Sequence, residues 1–155
     1  MNITAWRITQ SAYADNAFTG LGAWLEGARW NHKGVYMVYV AESISLAALE
    51  MVVHLPEEAL LYHHYVRIPV TFDSKQMMNL KPSQLPADWH HNPPPESTQK
   101  TGSNWAKERK SLVLKVPSSV IPEEHNYLIN PLHPDAKSLK IGKAEPFSFD
   151  RRIKR

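Results

Sequence analysis

One segment near the front of the chain, residues 27–50, changes its folding pattern twice and constrains the fold more than any other stretch. It begins as a polar loop, residues 27–34, with a glycine at each end. The next run, residues 35–41, is rich in Val and Tyr and predicts a β-strand. Ser43 then offers an N-cap for a helix that runs to about Leu55, ahead of a proline. The segment therefore predicts a loop, a strand and a helix in direct succession.

Strand patterns dominate the rest of the chain, and helical patterns are few. Strands are predicted at residues 5–9, 60–72, 111–116, 126–130, 139–141 and 147–149. Helical turns are predicted at residues 11–18, where Gly20 and Gly22 break the pattern, at 82–85 and at 103–110. The proline-rich residues 81–99 otherwise predict an irregular excursion over the surface. Together these elements predict an α+β, sandwich-like fold with a few helices packed alongside the strands.

Length and composition bound the class of protein. With 155 residues, 43% of them hydrophobic, the chain is expected to form a single domain, residues 1–155, with its own core. The absence of cysteine excludes disulfides and thiolate chemistry. The N-terminus lacks the pattern of a signal peptide, and no apolar run is long enough to span a bilayer. These features predict a soluble, cytoplasmic protein that does not enter a membrane.

The charge of the chain is mildly basic. It carries 18 Lys+Arg against 15 Asp+Glu, a net charge of +3, and residues 151–155 supply part of the excess. No DNA- or RNA-binding motif accompanies this charge, so direct nucleic-acid binding by this chain is not predicted. A mild positive balance instead suits an anionic small molecule or an acidic partner.

Three residues of segment 27–50 form a set with a definite chemistry: Arg29 in the loop, Tyr39 in the strand and Glu50 in the helix. A guanidinium forks onto phosphate oxygens better than an ammonium does. A tyrosine ring offers a flat surface on which a nicotinamide or purine could stack. Glu50 is predicted on the flank of an apolar helix face, where partial desolvation should make it more basic. The set suits cleavage of a nucleotide's glycosidic bond.

Other polar residues give weaker signals. Arg7, next to Trp6, is a candidate for a second phosphate contact. Ser118 and Ser119 follow a proline at the end of a strand, and the sequence leaves open which hydroxyl faces a cleft. The eight histidines lack the spacing of metal ligands, so no metal site is predicted. No glycine-rich nucleotide-binding motif is present.

The motifs around these residues resemble the RES domain family, which is named for its arginine, glutamate and serine. The resemblance spans nearly the whole chain and rests on GARWN at 27–31, YVAES at 39–43, GSNW at 102–105, VPS at 116–118 and NYLINP at 126–131. It places the arginine, tyrosine, glutamate and serine of the family on Arg29, Tyr39, Glu50 and Ser118.

The resemblance implies a fold like that of ADP-ribosyltransferases, a split β-sandwich flanked by helices. It implies a toxin that breaks NAD+ at the nicotinamide–ribose bond, by hydrolysis or phosphorolysis, and arrests growth when its antitoxin is absent. NAD+ would be the substrate, and neither a cofactor nor a metal is expected. Catalysis is assigned to Arg29, Tyr39 and Glu50, and substrate binding to the set Arg7, Ser118 and Asn126.

The partner that the resemblance implies is an Xre-type helix-turn-helix antitoxin, which would contact DNA in place of this chain. A dimer within a toxin–antitoxin complex is a further expectation. Two other functions stay open: a mono-ADP-ribosyltransferase that modifies a host protein, and a module that binds a nucleotide without consuming it. The sequence does not choose between water, phosphate and a protein side chain as the acceptor.

Overall fold

The computed structural model describes residues 1–153, which form eight strands and four α-helices. The strands are β1 (Asn2–Gln10), β2 (Val38–Ala41), β3 (Tyr65–Asp73), β4 (Met77–Asn79), β5 (Val113–Pro117), β6 (His125–Ile129), β7 (Lys140–Ile141) and β8 (Glu145–Phe147). The helices are α1 (Leu21–Glu26), α2 (Ile44–His54), α3 (Glu57–Tyr62) and α4 (Glu96–Glu108). Lys154 and Arg155, which end the predicted domain and its basic cluster, lie outside the described residues.

The strands form one sheet that is nearly divided in two. Its order is β4-β5-β6-β2-β1-β3-β7, and β8 also pairs with β3. The central strands β1 and β2 meet through a single residue pair, Trp6 opposite Ala41. On either side the pairing is continuous, because β1 pairs along its whole length with β3 and β2 with β6. The sheet thus consists of two leaves joined at a narrow seam, and the predicted α+β fold with a split sheet is confirmed.

Alternating side chains of β2 reach two different parts of the core. Val38 and Val40 belong to a buried cluster that extends across β3 and β5. Tyr39 points to the other side and borders a second cluster that contains Leu128. The alternation predicted for this strand is therefore confirmed, and it brings the Tyr39 ring to the side on which helix α4 packs through Trp105.

Helix α2 follows the signals in its sequence. The Ser43 side chain accepts a hydrogen bond from the Leu46 N–H at 3.0 Å, as predicted for an N-cap, and the helix ends at His54. Leu46 is buried against the sheet, whereas Val53, expected on the same face as Glu50, is exposed. Glu50 therefore lies at the boundary between the buried and exposed sides of the helix.

Three predicted boundaries are wrong. The predicted strand 60–72 starts only at Tyr65, because Pro56 and the two glutamates after it begin helix α3, whose acidic first turn suits the helix dipole. The predicted helix 103–110 in fact starts earlier, at Glu96. The sequence did not reveal this start, because the first turns are polar and the residues they bury are few. The predicted run 35–41 is strand only over Val38–Ala41.

Besides α3 and a short 3₁₀ helix at Pro134–Ser138, two elements were not predicted, α1 and β4. Gly20 adopts φ 78° as the N-cap of α1, and Gly22 lies inside this helix. The two glycines, which were expected to end the helical pattern, therefore begin a new helix and belong to it. Strand β4 is too short for its alternation to be visible in the sequence.

The remaining short elements agree with the predictions within a few residues. Single helical turns occur at Ser11–Asn16 and Pro82–Gln84, and β6, β7 and β8 lie close to their predicted places. None of the helices in residues 1–153 has both the length and the apolar composition needed to cross a membrane.

Gly102 tests the contact between helix α4 and the loop of residues 27–34. A Cβ on Gly102 would lie 1.9 Å from the Trp30 carbonyl oxygen. We therefore expect Gly102→Ala to lower the free energy of unfolding by about 2–3 kcal/mol, although alanine is the better helix former. Urea unfolding measures the loss. Gly22→Ala, whose Cβ meets no atom within 4 Å, is the control and should preserve or raise stability. Equal stability of the two variants would contradict the packing described.

Candidate functional site

The loop that carries Arg29 is held by the side chain of Asn31, which is 0% exposed. Its two N–H groups lie within hydrogen-bond distance of three backbone carbonyls, those of Ala23 at 2.9 Å, His32 at 3.0 Å and Val35 at 3.1 Å, so that one N–H is shared. These carbonyls lie before, within and after the loop, so one buried amide fixes its path. Asn31 is part of the GARWN motif, but nothing in the sequence indicated that its side chain holds the loop in place.

Tyr39 completes this anchor from strand β2. Its hydroxyl donates to the Asn31 Oδ1 at 2.7 Å and accepts from the Trp30 N–H at 3.0 Å. Burial raises the pKa of the phenol, so the ring stays neutral across the physiological range. The hydroxyl thus has a structural role that was not predicted. The predicted stacking of the ring on a substrate stays a prediction.

Arg29 is 9% exposed, and its guanidinium binds a segment far away in the sequence. Nη1 donates to the carbonyl oxygens of Trp89 at 2.9 Å and His91 at 2.7 Å, and Nη2 donates to the Asn92 Oδ1 at 2.5 Å. Burial lowers the pKa of Arg29, while the nearby Glu50 carboxylate opposes that shift. The cation therefore lies within electrostatic reach of Glu50.

Glu50 receives hydrogen bonds from strand β6 and from the residue that follows strand β5. Its Oε1 accepts from the Ser118 hydroxyl at 2.7 Å and from the Asn126 side-chain amide at 2.9 Å. Its Oε2 faces the His54 Nε2 at 3.7 Å, one helical turn further along α2. Sequence reasoning placed His54 beside Glu50 but assigned it no role. The i,i+4 spacing was the signal that could have identified it.

The carboxylate of Glu50 is ionised at neutral pH, and the expectation of a raised basicity is wrong. Burial does act to raise its pKa, because only 20% of the side chain is exposed. The nearby His54 ring, 3.7 Å away, and the hydrogen bonds from Asn126 and Ser118 together outweigh burial, and the net pKa lies below the ordinary glutamate value. A partly desolvated anion held in place by these groups is well suited to face a developing positive charge.

Ser118, rather than Ser119, is the hydroxyl that reaches Glu50. Ser118 is 0% exposed, and its oxygen also accepts hydrogen bonds at 3.1 Å from the N–H groups of Val120 and Ile121. Its proton is committed to the carboxylate, so in this structure it orients Glu50. A direct contact of Ser118 or Asn126 with a substrate stays a prediction.

Arg7 bridges the seam between the two leaves. Its Nη1 donates to the Tyr39 carbonyl at 3.2 Å, next to the single β1–β2 pair. Its Nε is buried and has no acceptor among residues 1–153. Burial lowers the pKa of Arg7, although an arginine keeps its charge at neutral pH. An unpaired buried donor of this kind is costly unless a ligand or water satisfies it.

A cavity of about 210 Å³ lies beside Arg7 and Tyr39. Helix α1 and the first residues of the loop, including Gly27 and Ala28, complete its wall. Arg29 and Glu50 do not line it. The structure therefore divides the six predicted residues. Arg7 and Tyr39 line the cavity, and Glu50 is hydrogen-bonded to Ser118 and Asn126. Arg29 does not line the cavity, but the charge of Glu50 acts on it.

Metal ligation has no support among residues 1–153, where no group of three or more His, Asp or Glu side chains could hold an ion. The histidines that contact carboxylates do so in isolated pairs, such as His32 with Glu96 and His125 with Glu42.

The sequence is similar to a known family of domains and to proteins from two bacteria. Residues 4–150 match the RES domain. Toxin Res of Yersinia enterocolitica is 36% identical over 151 residues, which cover 96% of this chain and 98% of that protein. The Prs ADP-ribosylating toxin of a Sphingobium species is 40% identical over 157 residues, which cover 99% of this chain and 98% of that protein.

A solved structure shares the fold. The crystal structure of the M. tuberculosis MbcT-MbcA toxin–antitoxin complex contains a chain that superposes with a TM-score of 0.77. The match covers 96% of this chain and 85% of that chain at 16% sequence identity, so it supports the architecture alone.

The hydrogen bonds to Glu50 predict a specific pH dependence of stability. Because the pKa of Glu50 is lower in the folded than in the unfolded chain, ionisation stabilises the fold above the unfolded pKa. That contribution disappears as the pH falls from the ordinary glutamate pKa of about 4.3 through the lower folded value. Glu50→Gln lacks this ionisation. We therefore expect its unfolding free energy, measured in urea between pH 7 and pH 3, to decline less than that of the wild type.

Glu123→Gln serves as the control for this measurement, because Glu123 is exposed in the loop between β5 and β6 and makes no ion pair within residues 1–153. It should follow the wild-type curve. A steeper decline for Glu50→Gln than for the wild type would mean that burial raises the Glu50 pKa after all.

Proposed function

The chain belongs to the RES domain family, and on that premise we propose that it is the toxin of a toxin–antitoxin pair. Its reaction is the cleavage of the nicotinamide–ribose bond of NAD+, with water or phosphate as the acceptor. NAD+ is consumed as a substrate, and the depletion of NAD+ arrests growth when the antitoxin is absent.

The observation that carries the proposal is the ionised, partly desolvated carboxylate of Glu50. Cleavage of the nicotinamide–ribose bond builds positive charge on the ribose as the neutral nicotinamide leaves, much as in glycoside hydrolysis. A carboxylate held in place by Ser118 and Asn126 stabilises that charge without reorganising. Because the charge grows toward the transition state, the interaction with Glu50 strengthens in the same direction.

Two arginines supply the complementary charge for the pyrophosphate. Neither Arg7 nor Arg29 has a carboxylate within 4.0 Å in residues 1–153. Both are desolvated, so each offers a cation that no carboxylate pairs at close range, although Glu50 acts on Arg29 from further away. Anchoring the diphosphate there would fix the ribose relative to Glu50. The Tyr39 ring, half-buried at the cavity, is proposed to stack on the nicotinamide.

Transfer of ADP-ribose to a host protein is the second candidate function. It is favoured by the relative named Prs ADP-ribosylating toxin, which is 40% identical to this chain. Both reactions pass through the same charged ribose and differ only in the acceptor. The residues proposed for bond cleavage are therefore the same in either case.

The proposed partner is an antitoxin of the Xre helix-turn-helix type. An antitoxin accompanies the toxin in the MbcT-MbcA complex, whose fold this chain shares. In this proposal the whole chain acts as one cytoplasmic domain, pairs with a second copy within the toxin–antitoxin complex and leaves DNA contact to the antitoxin.

Product analysis distinguishes the candidate reactions. The purified protein is incubated with NAD+ labelled in the ADP-ribose part, with and without phosphate and with and without a bacterial lysate. Hydrolysis yields ADP-ribose, phosphorolysis yields its phosphate ester only when phosphate is present, and transfer yields labelled protein. Intact NAD+ in every arm would refute the proposal.

The role of Glu50 gives the matched mutational prediction. We expect Glu50→Gln to lower the rate of NAD+ cleavage by about 100-fold or more, because the neutral amide removes the charge that stabilises the transition state. Free nicotinamide measured by mass spectrometry gives the rate, and induction in a bacterium without antitoxin shows whether growth continues. Glu58→Gln, the same change at an exposed position, should retain wild-type rate and toxicity. A folded and fully active Glu50→Gln protein would rule out the assigned role.

A further inference from the structure

The residues that bind Arg29 form a short segment, Trp89–Asn92, which we term the strap. It belongs to the proline-rich stretch between β4 and α4, for which the family motifs gave no role. It carries no strand or helix, yet it supplies every protein acceptor of the Arg29 guanidinium in residues 1–153: the carbonyls of Trp89 and His91 and the side chain of Asn92.

The strap has anchors of its own. The Trp89 side chain packs against the buried cluster that contains Trp30 and Trp105. Just before the strap, Asp88 accepts a hydrogen bond from the Ser97 hydroxyl on α4. These contacts do not involve Arg29. The strap is therefore a fixed frame against which the guanidinium is held.

The donors of Arg29 are only partly used by the strap. A guanidinium has five N–H donors. The strap takes both N–H groups of Nη1 and one of Nη2. The Nε–H and one Nη2–H have no acceptor among the described residues, so two donors of the guanidinium are left for the oxygens of a phosphate group.

The acceptors in the strap are all electrically neutral. Two are backbone carbonyls and the third is the amide oxygen of Asn92, although an aspartate there would bind a guanidinium more strongly. A neutral frame orients Arg29 and leaves its positive charge available. A carboxylate in the frame would orient it equally well and cancel that charge.

We propose that the strap is the positioning element for Arg29 and that Asn92 is its positioning residue, which orients the guanidinium toward a diphosphate while leaving its charge uncompensated. The inference rests on the proposed function, since the diphosphate is that of NAD+. Asn92 acts through Arg29 and does not itself touch the substrate. The requirement at position 92 is for a neutral acceptor rather than for any acceptor.

Asn92→Asp and Asn92→Ala test this requirement in the full-length protein. ADP is the probe, because it carries the diphosphate but no nicotinamide bond to cleave, and its affinity is measured by calorimetry. We expect Asn92→Asp to weaken ADP binding by about tenfold to a hundredfold through charge cancellation, and Asn92→Ala by a few-fold through loss of orientation. The KM for NAD+ should rise with the same ranking while kcat changes little.

Two controls separate this role from a structural one. Asn104→Asp makes the same charge change at an exposed position of α4 and should leave ADP affinity unchanged. Hydrogen exchange of the strap amides should be as slow in Asn92→Asp as in the wild type, since the aspartate still binds Arg29. A residue with a merely structural role would give the opposite ranking, with Asn92→Asp equal to the wild type and Asn92→Ala impaired.

The outcomes also separate this inference from the proposed function. Wild-type affinity for ADP in Asn92→Asp, or no ADP binding by the wild type, overturns the inference even if NAD+ is cleaved. If ADP binding follows the expected ranking but NAD+ stays intact in every assay, the positioning role stands and the proposed reaction fails.

Discussion

The buried side-chain amide of Asn31 is the contact on which the candidate site depends. Through it, helix α1, the loop and strand β2 are tied to one point, because its nitrogen donates to carbonyls of α1 and of the loop region and its oxygen accepts from Tyr39. The loop has further bonds, such as the His32 N–H to the Ser103 hydroxyl oxygen and the Gly34 N–H to the Trp24 carbonyl, and the Asn31 amide joins the groups before, within and after it. The same contact sets where Arg29 leaves the loop and where the ring of Tyr39 lies.

Around this anchor, charged groups are stabilised by neutral partners. The Glu50 carboxylate accepts from a hydroxyl and an amide, and Arg29 donates to two carbonyls and an amide. The protein thus holds both charges in place without pairing them with each other at close range. Such an arrangement costs stability, because desolvated charges are left uncompensated, and it preserves their fields for a molecule that carries the opposite charges.

The sequence predicted the parts of the site that local signals determine. The glycine-bounded loop, the alternation around Tyr39 and the Ser43 cap put Arg29, Tyr39 and Glu50 on a loop, a strand and a helix, and the structure agrees. It could not predict the partners of these side chains, because they come from far away: the strap follows Arg29 by about 60 residues. The direction of the Glu50 pKa shift failed for the same reason, since burial is visible locally but its hydrogen-bond donors are not.

The seam between the two leaves of the sheet has a mechanical consequence. Within residues 1–153, strand pairing joins the two leaves only at Trp6 and Ala41, and the Arg7 side chain adds a hydrogen bond to the Tyr39 carbonyl beside that pair. The wall of the adjacent cavity draws residues from both leaves, including Ala17 after β1 and Met37 before β2. A molecule bound in this cavity would contact both leaves where their strand pairing is shortest. Because it would bind only the folded chain, such an inhibitor would raise the thermal stability of the protein and its resistance to proteases.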